Sequence, residues 1–482
     1  MDFRLLVKHK PDTPSPYPSI VLEGALWTLT DSLDIHSDTV PKYTCVSYVW
    51  GYGRAPNPIH PSILMSDHTL PVLRSAIRNS GFDAFWIDAF CVPVDPIRKG
   101  ATLESMGFIY GRATKVVAVL APRSFVALKQ MYAFKNGDVP SKDVLDALES
   151  EVWIKSVWTY QEVVNSAGTY FVGEDTMDGE MLDCVNFLNG IGFYQTKYRQ
   201  HTGINTFEMR KLYPNLDTFE DLAADWILAS YAERSALEIM TNVARRSYDD
   251  PKNYFYSMIG ALIQKASKRT KAPSIESLAE TFMALSEEKG DYSFIFSSLP
   301  RDTRPGLEWR PRPQQLPSVL SWHVDGEALV GVREPNGIRL KDMLVMKPSA
   351  PGTVSFFGKD IICRWLEYPR ASASKEEVEG MSDTDVAERM RTVLGELGFS
   401  GSGQIFFTNH GYAFLQEDVP AGWEVELWIT TGIYYVFGAP VLAVARQGKS
   451  TKYIPGVYGG EAAFLPKTYR KETFIQTSAA RL

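Results

Sequence analysis

Cysteine is scarce. Cys45, Cys91, Cys184 and Cys363 are the only four in 482 residues, and no two form a CxxC pair. This spacing speaks against a disulfide framework or a thiolate zinc site and fits a reducing, intracellular compartment, so a cytoplasmic location is expected. The seven histidines show no HxxxH or mixed Cys/His spacing, and no metal site is expected. Nucleotide fingerprints are missing too. GYGR at 51–54 has no third glycine after it, and Gly448-Lys449-Ser450 is preceded five positions earlier by Ala443 rather than glycine, so no cofactor is expected. There is no GxSxG elbow. The net charge of −7 and the absence of any Lys/Arg block argue against nucleic acid as a partner. The start, MDFRLLVKHKPD, has no sustained apolar run of the secretory kind. One stretch, 427–445, runs nineteen residues without a charge. Its Ile, Tyr, Val and Phe content predicts two buried strands with a turn at Gly438-Ala439-Pro440 rather than a membrane span.

What is present is material for large cores. Hydrophobic residues make up 45% of the chain, aromatic residues 12% and charged residues 22%, the profile of a globular protein of two to three units. Residues 43–49, 84–90, 114–120 and 169–173 are short, apolar and β-rich. A helical segment in which Leu103, Met106 and Tyr110 share a face separates the second from the third. A long helix over Ser141–Asn165 separates the third from the fourth. Strands alternating with helices predict an α/β domain over 1–175 with a parallel sheet and helical crossovers. A helical region follows over 176–298. The segment 299–318, with five prolines, reads as a connector. Residues 319–482 read as a mainly-β module interrupted by one helix over 382–397, with Ser382 as its N-cap and Val386, Met390, Val393 and Leu397 turned inward.

In a parallel sheet the ligand crevice lies beyond the carboxyl ends of the strands. Those ends carry Ser47 and Trp50 after one strand, and Asp88 and Cys91 at the close of another. On the 141–165 helix, Trp153, Val157, Tyr160 and Val164 form an apolar stripe expected to pack on the sheet, which leaves Trp158 and Glu162 on the other side. Each candidate has a plain structural alternative. Asp88 can order the turn after its strand, Glu162 can be solvated or paired with Lys155 or Lys115, and Trp50 and Trp158 can be core packing. An unpaired buried carboxylate is costly, so Asp88, in a strand of otherwise apolar residues, carries the most information.

YTCVSYVWG (43–51), FWIDAFCVPVDP (85–96), MGFIYGRATKVVAVL (106–120) and VWTYQEVV (157–164) resemble, in order and spacing, the blocks of the fungal heterokaryon incompatibility (HET) domain. ARRSYDDPKNYFYSMIGAL (244–262), PSVLSWHVDG (317–326) and the segment 411–460 resemble later blocks of longer family members. Where many members have CINQ, this chain has Cys91-Val92-Pro93-Val94. The resemblance implies a fold related to Toll/interleukin-1 receptor (TIR) domains, with a helix-borne glutamate, here Glu162, that cleaves NAD in some members. It also implies kinship with HET-like enzymes of secondary metabolism, including a Diels–Alderase of terpenoid assembly. The expectation drawn is a cofactor-independent cyclase acting on an apolar polyene in an aromatic-lined pocket. Glu162 and Asp88 would be catalytic; Ser47, Trp50, Cys91 and Trp158 would contact a small-molecule substrate. A cell-death effector that hydrolyses NAD and a non-catalytic interaction protein are the alternatives.

Overall fold

Four short runs of buried residues build the centre of the first sheet. The computed structural model describes residues 1–9, 15–177, 179–367, 375–462, 465 and 467–477. Its contacts divide the chain into two compact units, Met1–Ala229 with Arg246–Ser274, and Ser230–Arg245 with Ile275–Leu482.

In the first unit, β1 (Leu6–His9), β2 (Ile20–Leu22), β3 (Ala25–Leu29) and β4 (Thr44–Ser47) are followed by a small ribbon of β5 (Arg54–Pro56) and β6 (Leu64–Ser66). Then come β7 (Ala84–Trp86), β8 (Lys115–Leu120), β9 (Thr169–Gly173) and β10 (Leu182–Asp183). The sheet order is β10-β9-β8-β4-β7-β1-β3-β2. β4 runs parallel to β7 and β8, and β8 parallel to β9, while β1 and β10 pair antiparallel at the flanks. All four residues of β4 are buried, as expected of a central strand covered on both faces. The chain leaves β4 for β7 on one side and returns past it to β8 on the other. The strand order therefore reverses at β4, the place where such sheets open a crevice.

The helices of this unit are α1 (Thr69–Ser80), α2 (Asp88–Cys91), α3 (Pro96–Glu104), α4 (Met106–Arg112), α5 (Pro122–Ala133), α6 (Lys142–Glu149), α7 (Val152–Lys155) and α8 (Val157–Val164). Helices Asn186–Thr202, Thr206–Leu212, Pro214–Leu228 and Pro251–Leu262 complete it. Two expectations change here. The run 84–90 is a strand only as far as Trp86, because Asp88 opens the one-turn helix α2. The helix expected over 141–165 is three helices. Glu151 breaks it first, its carboxylate accepting hydrogen bonds from the backbone N–H groups of Trp153 and Ala121 at 3.1 Å each. Ser156 breaks it again by adopting an extended conformation and pairing with Ser247 in a parallel bridge. A backbone partner from elsewhere in the chain outcompetes the local helix, which no local pattern reveals.

The second unit is built on an antiparallel sheet. Its spatial order is Gly331–Glu334, Gly337–Met346, Glu424–Thr430, Gly438–Gln447, Ser450–Gly460, Gly411–Leu415 and Ile405–Thr408, with Arg470–Gln476 also pairing Gly337–Met346. The charge-free stretch supplies two of these strands, and no helix among the described residues is long and apolar enough to cross a membrane. The turn lies earlier than expected. Gly438-Ala439-Pro440 already belongs to the second strand, with Pro440 outside the Val441–Arg446 segment that the neighbour Glu424–Thr430 covers, so its missing N–H breaks no bond on that side. Helix Asp383–Glu396 begins at the expected cap, Ser382, whose side chain accepts from the Asp385 N–H. Its inward residues include Val386, Met390 and Leu394; Val393 and Leu397 are half-buried.

Candidate active site at the carboxyl ends of the parallel strands

Ser47 is the last residue of β4, and its side chain is completely enclosed. Its Oγ donates a hydrogen bond to Glu162 Oε2 from α8 and accepts one from Trp153 Nε1 of α7 at 2.6 Å. The helix break at Ser156 is what lets two neighbouring helices reach the same hydroxyl. Tyr110 of α4 also hydrogen-bonds Glu162. One strand further along, Trp50 Nε1 donates to Asp88 Oδ2 at 2.7 Å, and the Ala89 N–H donates to Asp88 Oδ1 at 2.7 Å. Tyr48 extends the Asp88 group. Its hydroxyl shares a hydrogen bond with Thr69 Oγ1 at 2.8 Å, and it also bonds Asp88.

The placement of Glu162 reverses the expected orientation of its helix. Helix α8 is buried nearly all round, with Trp158 alone half-buried. Tyr160, expected to face the sheet, donates to Asp225 Oδ2 of helix Pro214–Leu228 at 3.2 Å. Glu162 is the residue that reaches the sheet, with 7% of its surface exposed, and its partners are Ser47 and Tyr110 rather than Lys155 or Lys115. Burial pushes its carboxyl up from 4.5 to about 7; the Ser47 and Tyr110 hydrogen bonds oppose that rise and the nearby charge of Asp88 adds to it. Asp88, half-buried, is also raised, chiefly by loss of hydration, against hydrogen bonds from Trp50, Ala89 and Tyr48. Two carboxyls in mutual range, one poised near neutrality, form a pair that can hold or release a proton at physiological pH.

Of the residues singled out in the sequence, Ser47, Trp50, Asp88 and Glu162 come together. Trp158 stacks on Tyr256 of helix Pro251–Leu262, with centroids 6.2 Å apart and planes 16° apart. Cys91 turns its Sγ towards the Phe85 carbonyl at 4.0 Å. It lines a separate cavity of about 240 Å³ with Arg4, His60 and Arg98, and burial holds its thiol up at about 12, far from a reactive thiolate. Sequence reading missed Tyr48, Tyr110 and Trp153 as members of the network. Tyr110 and Trp153 stood on apolar stripes that predicted core packing, and only the polar atoms at their tips distinguish the two roles.

A parallel α/β sheet whose strand ends gather hydroxyls and two carboxyls defines an α/β protein with a candidate acid–base centre. More specifically, residues 43–162 match the family model described as heterokaryon incompatibility protein (HET), and this chain carries a HET domain there. The match begins at Tyr43, just before β4, and ends at Glu162. No curated protein and no solved structure matches the chain.

Proposed function

We propose that the chain is a heterokaryon-incompatibility effector whose HET domain hydrolyses the N-glycosidic bond of an NAD-type dinucleotide, with Glu162 as the catalytic residue. The observation that carries this reading is a buried carboxyl poised at about 7 and held by Ser47 and Tyr110 at the end of the central strand. In the reaction the bond between ribose C1′ and the nicotinamide nitrogen breaks, and its electron pair leaves with nicotinamide. Water forms the new C–O bond and gives up a proton. The ionised form of Glu162 stabilises the positive charge developing on the ribose and accepts that proton. Ser47 and Trp153 are positioning residues that fix the carboxyl. Tyr48, Trp50 and Asp88 are the half-buried members of the network, and the others are buried.

Cyclisation of an apolar polyene uses the same carboxyl in the opposite state, protonated and donating to a substrate carbonyl, with Trp50 and Tyr48 as aromatic walls. The two readings separate by pH. Hydrolysis by the carboxylate rises as pH climbs through about 7, and cyclisation assisted by the acid falls. The test is NAD turnover by the purified full chain from pH 5.5 to 8.5, beside Glu162→Gln. The expected result is turnover in the wild type that increases with pH and drops by at least a hundredfold in the variant. Absence of NAD turnover in folded wild type overturns the hydrolase reading. A Glu162→Gln protein that changes in stability alone assigns the network to a non-catalytic interaction protein.

A further inference from the structure

A cavity of about 370 Å³, lined by Leu70, Pro71, Arg74, Arg78 and Glu174, opens beside α1. Its size lies within the roughly 300–1,000 Å³ common for small-molecule sites. Two guanidinium groups stand four residues apart on one helix, and α1 carries no acidic residue to separate them. Like charges at this spacing repel. Arg78 is anchored by Glu23 at 3.1 Å and by the Thr176 carbonyl at 3.2 Å. Arg74 is exposed and has neither ion pair nor hydrogen bond among the described residues. Glu174, the acidic member of the lining, is occupied by His68, whose Nδ1 lies 3.0 Å from Oε1 and 3.2 Å from Oε2.

The cavity is tied to the strand-end network through both ends of its lining. Glu174 follows directly on β9, and Ser75 of α1 donates to the Gly173 carbonyl at 2.7 Å. At the start of the same helix, Thr69 meets Tyr48. His68 lies against Gly51 of the loop that leaves β4, where an added Cβ would sit 3.1 Å from its ring. One helix thus carries a contact to the carboxyl network at its first residue and two arginines one and two turns further on.

We infer that this cavity is an anion site, with Arg74 as the free ligand and Arg78 as its fixed companion, that binds the diphosphate of the dinucleotide. Planar guanidinium groups match phosphate oxygens with paired N–H donors, which a single ammonium does not. The assignment to a dinucleotide rests on the hydrolase reading; the binding of a diphosphate does not. Glu174 sets the occupancy through its negative charge, shared with His68.

The test is calorimetric titration of the full chain with inorganic pyrophosphate at low salt, with ADP and NAD in parallel arms to separate a free diphosphate from a nucleotide. Saturable pyrophosphate binding is expected, weakened at least tenfold by Arg74→Gln, retained in part by Arg78→Lys, strengthened by Glu174→Gln and unchanged by Glu162→Gln. In NAD turnover, Arg74→Gln raises KM while leaving kcat in place. Failure of pyrophosphate to bind saturably, or equal affinity in wild type and Arg74→Gln, overturns the site. Pyrophosphate binding that depends on Arg74 in a protein without NAD turnover leaves the anion site standing and removes the hydrolase reading.

Discussion

A carboxyl group drawn from water to the end of a buried strand loses hydration that two hydrogen bonds return only in part. At Glu162 the balance leaves the folded protein binding a proton more tightly than the unfolded chain, at about 7 against an ordinary 4.5. The sign follows from linkage. This contribution to stability is full below about 4.5, declines as pH climbs, and is gone above about 7. Glu162→Gln lacks the decline. Denaturant unfolding at pH 5 and pH 8 is therefore expected to show wild type losing roughly 1–3 kcal/mol more than the variant across that interval. Parallel pH profiles for the two proteins would contradict the burial of a titrating Glu162. The sequence marked Asp88 as a carboxylate costly to bury and placed it and Ser47 at strand ends. It did not reveal the direction in which Glu162 points. That direction depends on helices, Pro214–Leu228 and Pro251–Leu262, that occupy the flanks of α8 from more than fifty residues away.

At the scale of elements, the packing of α4 against helix Pro251–Leu262 is set by two small residues. A Cβ built on Gly107 collides with the Gly260 carbonyl, and one built on Gly260 collides with the Gln161 side chain. Asn165 locks the same place, its Nδ2 donating to the Gly260 carbonyl at 2.9 Å and to the Gln161 carbonyl at 3.1 Å. Because the obstacle to Gly107 is backbone, relief requires the helices to separate. Gly107→Ala is expected to destabilise the protein by about 2–3 kcal/mol, read as a lower denaturant midpoint with little change in slope. Unchanged stability would mean that these helices do not approach as closely as described. The four β-rich runs and the N-cap at Ser382 were legible in the sequence, since burial on both faces and side-chain capping leave local signatures. The breaks at Glu151 and Ser156 were not, because their partners, Ala121 and Ser247, are supplied by distant segments.

At the scale of the whole molecule, the HET match ends at Glu162 but the unit that contains it continues through Ser274. The returning segment closes the helix breaks. Ser247 exchanges backbone hydrogen bonds with Lys155 and Val157, Arg246 caps the Ile154 carbonyl at 2.7 Å, and Ser257 caps the Val157 carbonyl at 2.7 Å. Removing it exposes apolar faces of α4 and α8 and leaves those carbonyls unpaired. A fragment of residues 1–274 is expected to unfold cooperatively, and one of residues 1–229 to lose that cooperativity; equal behaviour in a thermal melt would show the returning segment to be dispensable. The chain's sequence by itself determined the alternating α/β pattern of the first sheet, the β-rich character of the second and the membership of Ser47, Asp88 and Glu162 in the candidate blocks. These follow from periodicity, side-chain volume and motif order, which are local properties. The tertiary structure decided that Glu162 meets Ser47, that Trp153 reaches the same Ser47 hydroxyl while Tyr110 reaches the carboxyl, and that its proton is held near neutrality. Those outcomes depend on which distant groups exclude water and which supply hydrogen bonds.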